Sequence, residues 1–261
     1  MKEFLRYFLG AGTEIEFTNF SLAHFIPVLC LLAVIFLIHK YKTQLGAFKY
    51  ERNLRLYLAL ALICTEMSYY WRLVALPELG PNPIDHLPIS VCGWCVIFSS
   101  YMLLCKSQAL FDICYFWLLS GSIFALITPT VITPTVISYT GPTRFRYYQF
   151  WLEHTLGYVA LFYMIFVHNM RPNKKSVVRS ICSLAVLATI AYFVNDMLGP
   201  GANYLFMARP ESTPSILDIL PPNHVLRICI MVVAITALHF VVYLPWYLKD
   251  KKAAKMPVTT N

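Results

Sequence analysis

The residues best equipped for covalent chemistry are Cys92 and Cys95, in the stretch LPISVCGWCVIFSS at 87–100. Two cysteines at i and i+3 share a helix face, the arrangement of a C-x-x-C redox pair. A single working thiol would need a base instead, because the thiolate is the nucleophile. Neutral imidazole can take that proton, and His154 is the histidine to weigh. The third reading is packing, since free cysteine is often buried. The eight cysteines (30, 64, 92, 95, 105, 114, 182 and 229) all lie within or beside apolar segments. That is not the loop-borne pattern of a secreted disulfide scaffold.

Other polar groups interrupt the apolar runs. They are His24, Glu66, Arg72, Glu153, Asn195 and Asp196. Each has a structural reading: Arg72 could snorkel to head groups, Glu66 could be a hydrogen-bonded neutral carboxyl, and Asn195 with Asp196 could cap a helix. The histidines lack metal-ligand spacing, and no Gly-rich phosphate loop or G-x-S-x-G elbow occurs. No cofactor or metal is expected.

The elements that must position these groups follow from composition. The 261 residues are 58% hydrophobic and only 13% charged. About a quarter would be charged in a soluble domain. Seven apolar runs are long enough for membrane helices, near 21–39, 54–76, 87–105, 109–128, 147–168, 177–198 and 225–248. In lipid they must be helical, because only a helix satisfies its own backbone. The prediction is an all-α polytopic protein, a seven-helix bundle in one membrane domain. The first twenty residues hold Glu3, Glu14 and Glu16, so they do not read as a cleavable signal peptide.

The net charge of +8 could point to nucleic acid, but its placement points to lipid. Lys40, Lys42, Lys49, Arg52 and Arg55 follow the first run, Arg171, Lys174, Lys175 and Arg179 the fifth, and Lys249, Lys251, Lys252 and Lys255 the last. Lys2, Arg6, Arg144, Arg146 and Arg209 occupy the other side. The positive-inside rule then puts the N-terminus outside and the C-terminus in the cytoplasm, as an odd number of spans requires. FRYYQFW (145–151) and YLPWYLKDKK (243–252) read as outer and inner interfacial belts.

Depth can then be assigned. At about 1.5 Å per residue, Cys92 lies roughly 8 Å and His154 roughly 10 Å below the outer ends of their runs. Most ionisable groups fall in the outer halves, which implies one cavity open to the outside. Glu66 and Arg72 are about 120° apart around a helix and need not share a face.

Three stretches, LPISVC (87–92), FRYYQFWLEHTLGY (145–158) and NYLFMARPESTPSILDILPP (203–222), resemble signature blocks of the YwaF-type bacterial membrane proteins, a family related to animal transmembrane protein 164. The similarity runs over nearly the whole chain. It implies a seven-helix bundle in a bacterial plasma membrane. Through the animal branch it also implies a phospholipid acyltransferase using a cysteine thioester, with Cys92 as nucleophile and His154 as base. Ser90 departs from the LPxHxC pattern of bacterial relatives, so thiol activation would fall on His154 alone.

The expected partners are membrane phospholipids and lysophospholipids, with no nucleic acid. Glu66, Arg72, Ser90, Asn195, Asn203 and Tyr204 form the candidate substrate-binding set, with Asn195, Asn203 or Arg72 available as oxyanion donors. The segment 199–224 is a candidate outer cap loop. Two other readings stand beside this one: a transporter or receptor with an outward cavity, and thiol–disulfide exchange, for which the outer loops provide no shuttle cysteine.

Overall fold

The computed structural model describes residues 1–11, 17–79, 82–129, 141–207 and 219–254, and among them every regular element is helical. The Pro- and Thr-rich stretch at 130–140 and the centre of the proposed cap loop, 208–218, lie outside the described residues.

A short helix, α1 (Lys2–Leu9), is an addition to the predicted elements. The longer helices are α2 (Leu22–Lys40), α3 (Glu51–Ala75), α4 (Val91–Cys105), α5 (Gln108–Ile127), α6 (Phe145–Phe166), α7 (Lys174–Leu198) and α8 (His224–Ala253). Four of these, α2, α5, α7 and α8, are long and apolar enough to cross a bilayer. α4 is equally apolar but shorter, and α3 carries Glu51, Arg52, Arg55, Glu66 and Arg72. Helices of this length and apolarity are those of an integral membrane protein.

Helix ends are set by local chemistry. The Asn173 side chain accepts from the Lys175 N–H (2.9 Å) and the Ser176 hydroxyl accepts from the Asn173 N–H (2.9 Å), a reciprocal cap. Ser107 starts α5 by accepting the Leu110 N–H. Lys106, in the left-handed region at φ 50°, makes the sharp turn from α4 into α5. The predicted third run starts at 87, but α4 starts only at Val91, because Ser90 caps it and Pro88 disfavours helix before it. Cys92 is therefore a first-turn residue.

α5 is the enclosed centre of the bundle, with every residue from Phe111 to Leu118 buried. α4 packs between α3, α5 and α6, α2 packs on α6, and α7 packs on α5. α8 meets α5 at a π-helical turn, Leu118–Ser122. The extra residue in that turn changes the register, so that both Ser120 and Ser122 are buried. At the lysine-rich end, Glu51 accepts from Arg55 (2.7 Å) and from Tyr163 (3.1 Å) and pairs with His168 (2.8 Å), which ties α3 to α6. At the opposite end Arg144 lies 3.7 Å over the Tyr7 ring and donates to the Ala11 carbonyl (2.8 Å), so α1 is fastened to the start of α6.

Candidate active site

The N-terminus of α4 is shaped by three consecutive side-chain demands. The Ser90 hydroxyl accepts the Gly93 N–H at 3.0 Å, capping the helix. Gly93 is needed because a Cβ there would lie 3.0 Å from both Glu66 Oε1 and Ser90 Oγ. Between them, Cys92 is half-buried, and its thiol lies 3.5 Å from the Ser122 hydroxyl on the π-turn.

His154 reaches the same place from α6. It is buried, packs its ring on Phe150 (4.2 Å between centroids), and donates from Nδ1 to the Phe150 carbonyl at 2.8 Å. A carbonyl can only accept, so this bond leaves Nε2 as the acceptor nitrogen. The imidazole lies near enough to the Cys92 side chain to interact with it electrostatically. Tyr158, one turn further, donates to the Leu118 carbonyl (2.6 Å) and contacts Ser122, so α6 braces the π-turn that faces the thiol. Two other buried histidines are engaged by neutral groups on both nitrogens. His24 accepts from the Phe20 N–H and donates to the Leu126 carbonyl, while His239 bonds Ile235, Ser120 and Ser180. Thiol, imidazole and a hydroxyl therefore converge in the first turn of α4.

A polar cluster borders this pair. Glu66 is buried against Gly93 and lies in the electrostatic range of His154, Arg146 and Glu153. Gln149 donates to Glu153 (2.9 Å) and to the Thr65 carbonyl (3.3 Å), and Arg146 pairs with Glu153 at 3.6 Å and lies 4.9 Å over Tyr69. Tyr69 in turn meets His86 Nδ1 at 2.7 Å.

The other sequence candidates are placed differently. Arg72 lies 5.4 Å over Tyr69, donates to the Leu9 carbonyl at 3.5 Å, and edges a recess with Leu9, Trp71 and Phe145. Asn195 engages the Tyr204 backbone through both amide atoms, at 2.7 and 3.0 Å, and so braces the turn after α7. Tyr204 donates to the Pro83 carbonyl (2.5 Å) and accepts the Leu87 N–H (2.8 Å), fixing the segment that enters α4. Asn203 starts the same turn, and Asp196 is exposed. Cys95 is buried, 1% exposed, beside Cys114.

Sequence reasoning did not single out Ser122, Tyr158, Arg146 or Gln149. Three of these sit in the FRYYQFWLEHTLGY block, but their spacing there carries no distinguishing pattern. Ser122 depends on the π-turn, for which LLSGS has no signal.

A family model described as the TMEM164 family matches residues 19–243. No curated protein and no solved structure matches the chain.

Proposed function

The chain belongs to the TMEM164 family, and from that premise we propose that it is a membrane-embedded phospholipid acyltransferase working through a thioester on Cys92. The observation that carries this reading is the convergence of the Cys92 thiol and the His154 imidazole at the first turn of α4. In the proposed topology all the long helical segments cross a bacterial plasma membrane, the N-terminus is outside, and the α4 N-terminus lies near the outer ester level.

The steps balance as follows. His154 Nε2 takes the Cys92 proton, and the thiolate attacks an ester carbonyl of a phospholipid. The tetrahedral oxyanion needs donors in place. The cap satisfies only one orphan N–H of α4, so the Val91 and Cys92 N–H groups and the Ser122 hydroxyl are the proposed donors. Collapse breaks the ester C–O bond, and the leaving lysophospholipid oxygen takes the proton from His154. In the second half, His154 deprotonates an acceptor lipid hydroxyl, which attacks the thioester, and the proton returns to the sulfur. Water in place of the acceptor would make the same site a hydrolase.

Ser90 fits this reading without the histidine of bacterial relatives, because its hydroxyl is engaged in the cap that orients Cys92. A Cys92–Cys95 redox pair would have no exchange with an outside thiol at Cys95, which is buried.

The test is intact-protein mass spectrometry after incubation with a phospholipid of defined acyl chain. An acyl adduct should form on Cys92, be absent from Cys92→Ser, and form at least about 100-fold more slowly in His154→Ala, the usual scale for a general base. Full biological activity of Cys92→Ala would overturn the proposal and favour a transporter or receptor.

A further inference from the structure

The far end of the molecule holds a second feature, unconnected with the thiol. Between the end of α2, the turn after α6 and the end of α8 lies a cavity of about 340 Å³, lined by His39, Lys42, Asn169, Arg171, Trp246 and Lys249 among others. We propose that this cavity binds a phosphate-bearing anion, and that its position suits the head group of an acidic phospholipid.

Three arguments lead there. First, the charge is unbalanced. Lys42, Arg171 and Lys249 line the cavity, and Asp250 pairs with Arg171 at 2.8 Å. Second, the floor is fixed in advance. Trp246 donates from Nε1 to the Tyr115 hydroxyl at 2.9 Å, and that hydroxyl donates to the Val242 carbonyl at 3.1 Å. The Trp246 ring then holds Arg171 at 5.9 Å and Lys249 at 5.5 Å by cation–π contact. The Arg171 carbonyl accepts from Gln108 at 3.1 Å, and Asn169 turns the chain through the left-handed region (φ 53°) to present this rim. Third, the surroundings are those of a lipid. α2 and α8 on either side leave Leu37, Leu244 and Leu248 exposed, apolar surface along which acyl chains can lie. Basic pockets between membrane helices at the head-group level recognise phosphate in this way, and tryptophan belongs at that level.

The site does not depend on the acyl-transfer reading, and the experiment keeps the two apart. The full-length protein in detergent is incubated with equal amounts of phosphatidylglycerol and phosphatidylcholine, and retained lipid is counted by native mass spectrometry. Phosphatidylglycerol should be retained in excess. Lys42→Gln and Lys249→Gln should each cut that excess about fivefold, whereas Lys42→Arg and Lys249→Arg should keep it. Both lysines are exposed, so the variants should fold. Cys92→Ala should retain lipid like the parent. A parallel arm with inorganic phosphate identifies the source: phosphate adducts that need the same lysines, without a phosphatidylglycerol excess, support the anion site with the free ion as occupant. Equal retention of the two lipids with no phosphate adduct, or an excess that survives the double Lys→Gln variant, overturns the proposal.

Discussion

Gly93→Ala is the most direct probe of how the α4 N-terminus is built. The added methyl would stand 3.0 Å from Glu66 Oε1 and from Ser90 Oγ, where ordinary contact begins at 3.4 Å, so each oxygen must retreat by about 0.4 Å. For Ser90 that retreat would stretch a 3.0 Å bond to the Gly93 N–H beyond the useful range. Losing a cap costs about 1 kcal/mol, while alanine in place of glycine inside a helix contributes up to about 1 kcal/mol. The two nearly cancel, so the thermal midpoint in detergent should change little. Thiol placement should not be spared. Displacements of this kind near a reacting atom cost on the order of tenfold or more, so modification of Cys92 by a lipid-like alkylating probe should slow at least tenfold. Shortening Glu66 as well, in Gly93→Ala with Glu66→Ala, removes one of the two obstacles and should recover part of that rate, a coupling between contacting residues. An unchanged labelling rate in Gly93→Ala, or no recovery in the double variant, would refute the packing argument.

Three further outcomes are expected. Tyr204→Phe removes a hydroxyl that bridges the Pro83 carbonyl and the Leu87 N–H, and should lower stability by about 1–3 kcal/mol in thermal unfolding. His86, between α3 and α4, has its pKa held below the ordinary 6.5 by burial, with Arg72 and Arg146 acting in the same sense against the opposing pull of Asp85. Below pH 6.5 the unfolded chain therefore takes up the proton first. The stability from neutral His86 is fully present above 6.5 and is lost as pH falls toward the lowered folded value. The thermal midpoint should accordingly drop with acid less steeply in His86→Gln. Cys95→Ser should leave probe labelling of Cys92 unchanged, and a large loss would revive the paired-thiol reading.

The sequence by itself determined that this is a helical membrane protein and roughly where its helices lie. Apolar runs near the length of a bilayer, closed by Lys40–Lys42, Arg171–Lys175 and Lys249–Lys252, have that meaning whatever they pack against, because the constraint comes from lipid and not from neighbours. It also predicts similar depths for Cys92 and His154, since such a prediction needs only counting along a helix. Rotation and register were beyond such counting. That Glu66 lies at Gly93 while Arg72 turns to Leu9, and that Asn195 grips the Tyr204 backbone, depends on how each helix rolls against its neighbours. Ser122 faces the thiol only because one extra residue in the π-turn of α5 changes its direction, and Tyr158 from α6 bonds to that turn. Such contacts lie 30 or 40 residues apart along the chain, and side-chain packing between helices, which leaves no periodic trace in any one of them, decided them.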